Sequence, residues 1–396
     1  MRGTGDLPLE PGDLLAVGLP PSARWLEIVR EAWDADAAVL PLDDRLPGRE
    51  AARLLEQARP TVLLDAEGVR RLDGLPADED VALVVPTSGT GGEPKLVQFD
   101  RGAIDAAVAA SALTLEVTQD DRWLCCLPSA HIGGLLVLMR GVLLDAPVSV
   151  HAAFDVTAFA REREATFTSI VPTMLVRLLD AGVDLSSYHA ILVGGAHLSS
   201  PVRQRADRAD APVIETYGLT ETCGGVIYDG VPLPGVEVRI DGHDGIEMRG
   251  PTLMIGYRFE PEATAGAFTP DGWLQTGDAG TIDAEGRLRV IGRLDDLINS
   301  GGEKIWPDEV ESALGSHPKV AAVGVGGRPD PEWGQRVVAW VVPADRGDPP
   351  SLEELRDHVS ERLPRHKAPR ELVLVGELPR TVGGKLRRRS LVAGSE

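Results

Sequence analysis

Cysteine is scarce in this chain of 396 residues, which contains only Cys125, Cys126 and Cys223. An odd number of thiols cannot pair completely, and the three positions match no zinc-ligand spacing. The scarcity therefore argues against a disulfide framework and against a structural zinc site. We expect buried, unpaired thiols in a reducing compartment.

Long apolar runs are also missing. The longest, at residues 132–144, is interrupted by Arg140, so it is too short and too polar to cross a bilayer. The first six residues, Met-Arg-Gly-Thr-Gly-Asp, do not begin an apolar signal sequence. The sequence therefore predicts a cytoplasmic protein with no membrane partner.

Positive charge is in deficit, with 40 lysines and arginines against 61 aspartates and glutamates, a net charge of −21. Nucleic acid would be repelled at long range, so it is not an expected partner. A phosphorylated ligand would need local positive charge or a divalent metal. Residues 361–390 carry nine basic and three acidic side chains, a local balance of +6. That segment is either a solubilising tail or a patch that meets phosphates.

Short apolar runs and helical patterns alternate through the first 65 residues, which is typical of an α/β layer with parallel strands. The pattern returns further on, and residues 231–293 alternate in a way that predicts an antiparallel β region. The predicted helices are 22–33, with Ser22 as N-cap, and 47–58. The predicted strands are 13–18, 37–42, 61–65, 167–171, 190–193, 213–215, 236–240 and 287–291.

A second unit is predicted to begin near Asp295. Its helices are expected at 307–314 and 351–362, and its strands at 320–325, 337–342 and 371–375. This mixture is typical of a small α+β domain of about 100 residues. The predicted fold is α/β: a large N-terminal domain, residues 1–294, has layered sheets and a β-rich subdomain. Residues 295–396 form the C-terminal domain.

Residues 87–95, Thr-Ser-Gly-Thr-Gly-Gly-Glu-Pro-Lys, follow an apolar run at 81–85. The glycines allow backbone N–H groups to turn toward an anion, the hydroxyls add donors, and Lys95 adds a charge. The spacing is not that of a Walker loop. The segment is therefore either an ordinary surface turn or a phosphate-binding loop of another kind.

Four further motifs follow in order. Residues 215–222, Glu-Thr-Tyr-Gly-Leu-Thr-Glu-Thr, are predicted to end a strand in a turn that offers a hydroxyl, a flat ring and a carboxylate suited to Mg²⁺. Residues 272–278 place an aspartate in a glycine-bounded turn, where it could accept two ribose hydroxyls. Residues 292–304 bring Arg, paired Asp and a double Gly to the predicted domain junction. Residues 379–388 place Lys385 on a glycine turn, and each motif alone could be an ordinary turn.

In this order the five motifs resemble the acyl-adenylate-forming superfamily, which includes acyl-CoA synthetases, peptide-synthetase adenylation domains and luciferases. The resemblance covers residues 11–390. It implies that ATP adenylates a carboxylic acid with release of pyrophosphate, that Mg²⁺ assists, and that CoA is the cosubstrate. It also implies that the C-terminal domain is mobile and rotates about Asp295.

The resemblance implies a role for each motif residue. Thr220 would bind the α-phosphate, Glu221 the Mg²⁺, and Lys385 the substrate carboxylate, so these three would be catalytic. Asp278, assisted by Arg293, would bind the ribose hydroxyls. The rest of the ATP site would be Thr87, Ser88, Gly89, Thr90, Gly91, Gly92, Lys95, Gly195, Ala196, Tyr217 and Gly218, and Gly301 and Gly302 would line the CoA tunnel.

Residues 127–135, Leu-Pro-Ser-Ala-His-Ile-Gly-Gly-Leu, resemble the acyl-pocket motif of 2-succinylbenzoate–CoA ligases of menaquinone biosynthesis, as do residues 221–233. The short region before the phosphate loop fits the compact actinobacterial form of these enzymes. His131 would border the aromatic acid, or else be a structural histidine that caps a turn. Ser129, Thr173 and Gly194 are further pocket candidates.

The sequence departs from the superfamily pattern at Gly91, where threonine is usual, and at Leu96, where glycine is usual. Both changes predict weaker ATP binding. Three alternatives stay open: a CoA ligase for another aromatic or short carboxylic acid, a stand-alone adenylation enzyme that loads a carrier protein, and a non-catalytic nucleotide-binding relative. A homodimer is open as well.

Overall fold

The computed structural model describes residues 7–87, 94–380 and 386–393. The α-helices among these residues are α1 (Arg24–Asp34), α2 (Gly48–Ala58), α3 (Arg101–Thr114), α4 (Ile132–Leu143), α5 (Val156–Phe159), α6 (Pro172–Asp180), α7 (Ser200–Arg208), α8 (Pro261–Ala267), α9 (Pro307–Leu314), α10 (Leu352–Ser360) and α11 (Arg388–Ala393). No helix in these ranges is long and apolar enough to span a membrane.

The strands form four sheets. Their bounds are β1 (Leu14–Val17), β2 (Ala38–Pro41), β3 (Val62–Asp65), β4 (Gly68–Arg71), β5 (Val81–Pro86), β6 (Leu96–Asp100), β7 (Trp123–Cys125), β8 (Val148–Val150), β9 (Phe167–Ile170), β10 (Ala190–Val193), β11 (Val213–Leu219), β12 (Gly224–Tyr228), β13 (Val231–Pro232), β14 (Glu237–Ile240), β15 (Gly245–Arg249), β16 (Gly256–Tyr257), β17 (Leu274–Ile282), β18 (Leu288–Arg293), β19 (Ile298–Ser300), β20 (Glu303–Ile305), β21 (Val320–Asp330), β22 (Gly334–Pro343) and β23 (Glu371–Leu374).

Two seven-stranded sheets form the body of the molecule, in the orders β16-β6-β5-β2-β1-β3-β4 and β13-β12-β11-β10-β9-β7-β8. Parallel pairing joins β5, β2, β1 and β3 in the first sheet, and β11, β10, β9, β7 and β8 in the second. The α/β prediction for this region is confirmed.

Successive side chains of a strand point to opposite faces of its sheet, so each of these two sheets packs against helices on both faces. In β1, Leu15 and Val17 join a core shared with the second sheet and with α1, α3 and α4, whereas Leu14 and Ala16 face the opposite side, toward α2. Strand β10 divides its residues in the same way, and its second face packs against α6 and α7. The result is five layers, in which helices alternate with sheets and the largest core lies between the sheets.

The third sheet, β14-β15-β17-β18, is antiparallel and confirms the predicted β region. The fourth sheet, β20-β19-β22-β21 with β23 on β22, belongs to the chain after Asp295. It has a core on each face, one against α9 and α10 and the other against residues around α11. The structure therefore contains the α+β unit that the sequence predicts.

Three local predictions were wrong. Helix α1 has Ala23 as its N-cap, because Ser22 accepts from Trp25 through its backbone carbonyl and not through its hydroxyl. Strand β11 does not end at residue 215, because after its parallel pairing with β10 it continues in antiparallel pairing with β12. Asp278 lies within β17 and not in a turn.

The three cysteines are buried and unpaired, as predicted. Burial raises the pKa of each thiol to about 12. Such thiols stay protonated at neutral pH and are poor nucleophiles.

Candidate active site

A cavity of 2540 Å³ opens at the carboxyl ends of the parallel strands. Pro86, Val171, Gly194 and Glu215 line it where β5, β9, β10 and the parallel part of β11 end. Ligands of open α/β sheets gather at this edge. Residues of the third sheet and of α9 and α11 complete the wall, so the cavity lies between the large unit and the chain after Asp295.

Asp278 is the most enclosed carboxylate of the cavity wall, with 5% of its surface exposed. The Tyr217 hydroxyl donates to Asp278 Oδ2 at 2.7 Å, and Arg293 Nη1 donates to Oδ1 at 3.1 Å. Asp278 and Arg293 are cross-strand partners of β17 and β18, which holds the two side chains together. Burial, with Asp278 adding to it, raises the pKa of Tyr217, so its phenol stays a donor.

Glu221 faces the same cavity from the short 3₁₀ turn Thr220–Thr222 that follows β11. The Tyr257 hydroxyl donates to Glu221 Oε1 at 2.9 Å. The Lys95 ammonium lies over the Tyr257 ring, 4.3 Å from its centroid. Burial and Glu221 raise the pKa of Tyr257, and this tyrosine was missed at the sequence level because it lies outside every motif.

The base of the predicted phosphate loop is held by two hydrogen bonds. Thr87 N donates to the Lys95 carbonyl at 2.8 Å, and Lys95 N donates to Thr87 Oγ1 at 3.0 Å. Both residues line the cavity. Of the other residues predicted for this loop, five lie outside the described residues: Ser88, Gly89, Thr90, Gly91 and Gly92.

A second group of predicted residues meets at the end of β10. Gly194, Gly195 and Ala196 line the cavity beside Thr216 of β11. A Cβ on Gly194 would lie 2.3 Å from Thr216 Oγ1, and Gly195 has a φ of +79°. Only glycine fits the first position without displacing Thr216, and the second suits glycine because of its φ. Gly218 and Thr220 also line the cavity.

The predicted acid-pocket residues divide into two groups. His131, the N-cap residue of α4, and Thr173, near the start of α6, line the cavity. The His131 side chain makes no capping hydrogen bond, which argues against the turn-capping alternative. Ser129 is 2% exposed and is not among the lining residues, so the structure does not bring it to the cavity.

Arg140 of α4 is a cavity residue to which the sequence analysis gave no role. It is 3% exposed, Nη2 donates to Ser111 Oγ at 2.8 Å, and its guanidinium lies 4.1 Å from the Trp123 ring centroid. Burial lowers its pKa, and none of the described carboxylates pairs with it. The sequence signal for this residue is a lone arginine inside the apolar run 132–144.

The remaining predicted residues are spread around the junction. Asp295 lines the cavity, and its carboxylate lies 3.8 Å from Arg389. Gly301 and Gly302 occupy the turn between β19 and β20 and are not among the lining residues. Lys385 lies outside the described residues.

A magnesium ion fits this site through Glu221. The described residues contain no cluster of three or more His, Cys, Asp or Glu side chains that could enclose a metal. Mg²⁺ needs no such cluster, because it commonly takes one or two carboxylates and completes its shell with substrate phosphates and water. A single cavity-facing carboxylate is therefore sufficient.

Two family profiles match the chain. Residues 66–258 match the family described as AMP-binding enzyme, and residues 309–385 match the AMP-binding enzyme C-terminal domain. The probable 2-succinylbenzoate–CoA ligase of Mycobacterium tuberculosis is 40% identical over 374 residues, which are 91% of this chain and 96% of that protein. The 2-succinylbenzoate–CoA ligase of Bacillus velezensis is 36% identical, with coverage of 97% and 88%.

Solved structures of adenylate-binding and ATP-binding proteins are similar to this chain over nearly its whole length. The o-succinylbenzoate CoA synthetase of Bacillus subtilis, in complex with its acyl-adenylate intermediate, has a TM-score of 0.87 at 32% identity, with 97% of this chain and 88% of that chain covered. The ATP-bound MatB of Rhodopseudomonas palustris has a TM-score of 0.88 at 24% identity, with coverage of 98% and 89%, and supports the fold alone.

Proposed function

The chain belongs to the AMP-binding enzyme family, and we propose that it is an ATP-dependent ligase that converts 2-succinylbenzoate to its CoA thioester through an acyl adenylate. AMP and pyrophosphate are the other products, and the reaction serves menaquinone biosynthesis. The observation that carries the choice of acid is the buried, unpaired Arg140 in the cavity wall.

A buried charge without a partner is unfavourable unless a ligand neutralises it. Among the other cavity arginines, Arg45, Arg205 and Arg293 are paired with Asp43, Asp180 and Asp278. Arg177, Arg287 and Arg289 are exposed, so water solvates their charge. 2-Succinylbenzoate has two carboxylates, and adenylation of the flexible succinyl carboxylate leaves the ring carboxylate charged. Arg140 would pair with it in a site of low dielectric, where the ion pair is stronger than in water.

We propose that the Asp278 carboxylate accepts the two ribose hydroxyls, because Tyr217 and Arg293 fix both of its oxygens. Gly194, Gly195 and Ala196 leave space for the adenine ring and the acyl chain. Thr87 and Lys95 close the base of the β- and γ-phosphate loop, which would also use Ser88, Gly89, Thr90, Gly91 and Gly92.

In the first step a substrate carboxylate oxygen attacks the α-phosphorus of ATP, and the bond to the bridging oxygen of pyrophosphate breaks. Two anions approach each other, so positive charge must offset their repulsion. Mg²⁺, when bound at Glu221, supplies part of that charge. Thr220 would donate to the α-phosphate, and Lys385 would contact the carboxylate and the bridging oxygen.

In the second step the CoA thiol sulfur attacks the acyl carbon, the thiol gives up its proton, and AMP leaves. No protein cysteine is needed. We propose that Gly301 and Gly302 border the pantetheine path, although neither lines the cavity in this arrangement. Rotation about Asp295 would bring them to it, with residues 1–294 and 295–396 as the two domains.

The test is a panel of carboxylic acids assayed for pyrophosphate release. Turnover is expected with 2-succinylbenzoate and weaker turnover with simple benzoates; the reverse order would overturn the specificity and favour a ligase for another aromatic or short acid. AMP release that depends on CoA distinguishes the ligase from an enzyme that loads a carrier protein. No pyrophosphate release with any acid would support a non-catalytic relative. We further propose a cytoplasmic location, consistent with three reduced thiols, and a homodimer, which light scattering tests.

A further inference from the structure

Arg140 begins a hydrogen-bonded chain of three buried side chains. Its Nη2 donates to Ser111 Oγ at 2.8 Å, and Ser111 Oγ lies 2.8 Å from the Tyr228 hydroxyl. Arg140, Ser111 and Tyr228 are 3%, 2% and 6% exposed, yet all three line the cavity. They come from α4, α3 and β12, so the tertiary fold brings them together.

Hydrogen-bond donors outnumber acceptors in this hydrogen-bonded chain of side chains. The two hydroxyls carry two hydrogens, and only one of these is used in the bond between them. The Tyr228 oxygen also accepts from Arg140. Within the described ranges the second hydroxyl hydrogen has no acceptor, and Arg140 Nε has no partner. Buried donors without partners are rare in folded proteins, and an anionic ligand would satisfy both.

The two hydroxyls differ in acidity. Either can donate in the bond between Ser111 and Tyr228, but the phenol is the more acidic of the two, so an anionic ligand draws its hydrogen in preference to that of Ser111. With an anion bound, Ser111 then donates to Tyr228, and the phenolic hydrogen of Tyr228 is the one given to the ligand.

The hydrogen-bonded chain of Arg140, Ser111 and Tyr228 lies next to the predicted acyl pocket. Tyr228 is the cross-strand partner of Thr216, which lies against Gly194. Between them is Gly225, where an added Cβ would lie 3.1 Å from the Thr216 Cβ and 3.7 Å from Tyr228 Cε1. The lack of a side chain at Gly225 keeps the path from the acyl pocket to Tyr228 open.

We propose that Tyr228 is a specificity-determining residue, whose hydroxyl donates to the non-reacting carboxylate of a dicarboxylic acid while Arg140 supplies the charge. This inference rests on the proposed function. It adds a neutral donor that selects acids with a second carboxylate at this position.

The experiment compares two acids, 2-succinylbenzoate and 4-oxo-4-phenylbutanoate, which lacks the ring carboxylate. Tyr228→Phe is expected to raise the KM for 2-succinylbenzoate roughly 10- to 100-fold, the usual effect of losing a hydrogen bond to a charged group. The kcat/KM for 4-oxo-4-phenylbutanoate should change less than about twofold. Ser111→Ala keeps the phenol and should have a smaller effect than Tyr228→Phe.

Tyr188→Phe is the matched control, because Tyr188 is a buried tyrosine outside the cavity wall whose hydroxyl has no partner. It should leave KM and kcat/KM unchanged for both acids. Equal losses on both acids in Tyr228→Phe, or a larger loss in Ser111→Ala, would overturn the inference and leave the proposed function standing. Failure of the wild-type protein to use 2-succinylbenzoate would overturn both.

Discussion

Three hydrogen bonds hold Asp278 in the cavity wall. Tyr217 and Arg293 occupy its two oxygens, and its backbone N–H donates to Thr276 Oγ1 at 3.1 Å. The carboxylate therefore has a fixed orientation before any ligand binds. Preorganisation of this kind lowers the entropy lost on binding.

Asp278→Asn should raise the KM for ATP roughly 10- to 100-fold, because one oxygen becomes an amide donor and the charge-assisted hydrogen bonds are lost. The KM for the acid should stay within about twofold. Initial-rate assays of pyrophosphate release measure both constants. Asp120→Asn, at an exposed position outside the cavity wall, is the control. Equal changes in both constants would contradict a role confined to the nucleotide.

Lys385→Ala should lower the rate of acyl-adenylate formation by about 10²–10³, the usual effect of removing one electrostatic contact to a developing charge. Thioester formation from supplied acyl adenylate and CoA should persist, because that step does not need the lysine. Single-turnover assays of the two half-reactions measure this. Equal loss of both would exclude the role that the family resemblance gives to Lys385.

At the scale of elements, β11 connects two kinds of pairing. It runs parallel to β10 through Glu215 and antiparallel to β12 from Thr216, with a register shift between Tyr217 and Gly218. The shift brings the backbones so close that a Cβ on Gly218 would lie 1.9 Å from the Gly224 carbonyl oxygen. Glycine at 218 is therefore required by backbone approach.

Gly218→Ala should lower the free energy of unfolding by about 1–3 kcal/mol, as overpacking usually does, and should also reduce turnover because β11 lines the cavity. Urea unfolding followed by fluorescence measures the change. Gly48→Ala is the matched control, since nothing lies within 4 Å of its added Cβ and it opens helix α2. That change should be neutral or slightly stabilising. A tolerated Gly218→Ala would show that β11 and β12 can separate.

At the scale of the whole molecule, one arginine connects distant segments of the chain after Asp295, beside the junction with the large unit. Arg388 donates to Asp296 at 3.0 Å and to Asp308 at 2.9 Å, and it also contacts Glu311. One cation cannot neutralise three carboxylates. Glu311 is the deepest of the three, and burial raises its pKa to about 7, against the opposing effect of Arg388.

This shift predicts a pH dependence. Between the usual glutamate pKa of 4.5 and about 7, the folded protein holds a proton on Glu311 that the unfolded chain lacks. The stability from this group is fully present below pH 4.5 and falls until the pH reaches about 7, by roughly 1.4 kcal/mol for each pH unit in this window. Glu311→Gln should flatten the unfolding profile in this window. Glu353→Gln, at an exposed position, is the control, and an unchanged slope in Glu311→Gln would contradict the assignment.

Local periodicity and residue type are enough to predict the order of the elements and the positions of the motifs. The strand at Ala190–Val193 and the helix at Pro307–Leu314 have the bounds that the sequence predicts. Most of the described site residues that the motifs predicted, such as Glu221 and Asp278, line one cavity.

Which residues from distant segments meet depends on how the layers pack. Tyr257 reaches Glu221, and Arg140 reaches Ser111 and the cavity wall, although no short-range pattern connects these pairs. Ser129 shows the converse, since it lies in a motif but is packed away from the cavity. Periodicity decides which side of a helix or strand is apolar. The packing of the layers against each other decides which polar side chain on that side is enclosed, and it encloses Arg140 without a carboxylate partner among the described residues.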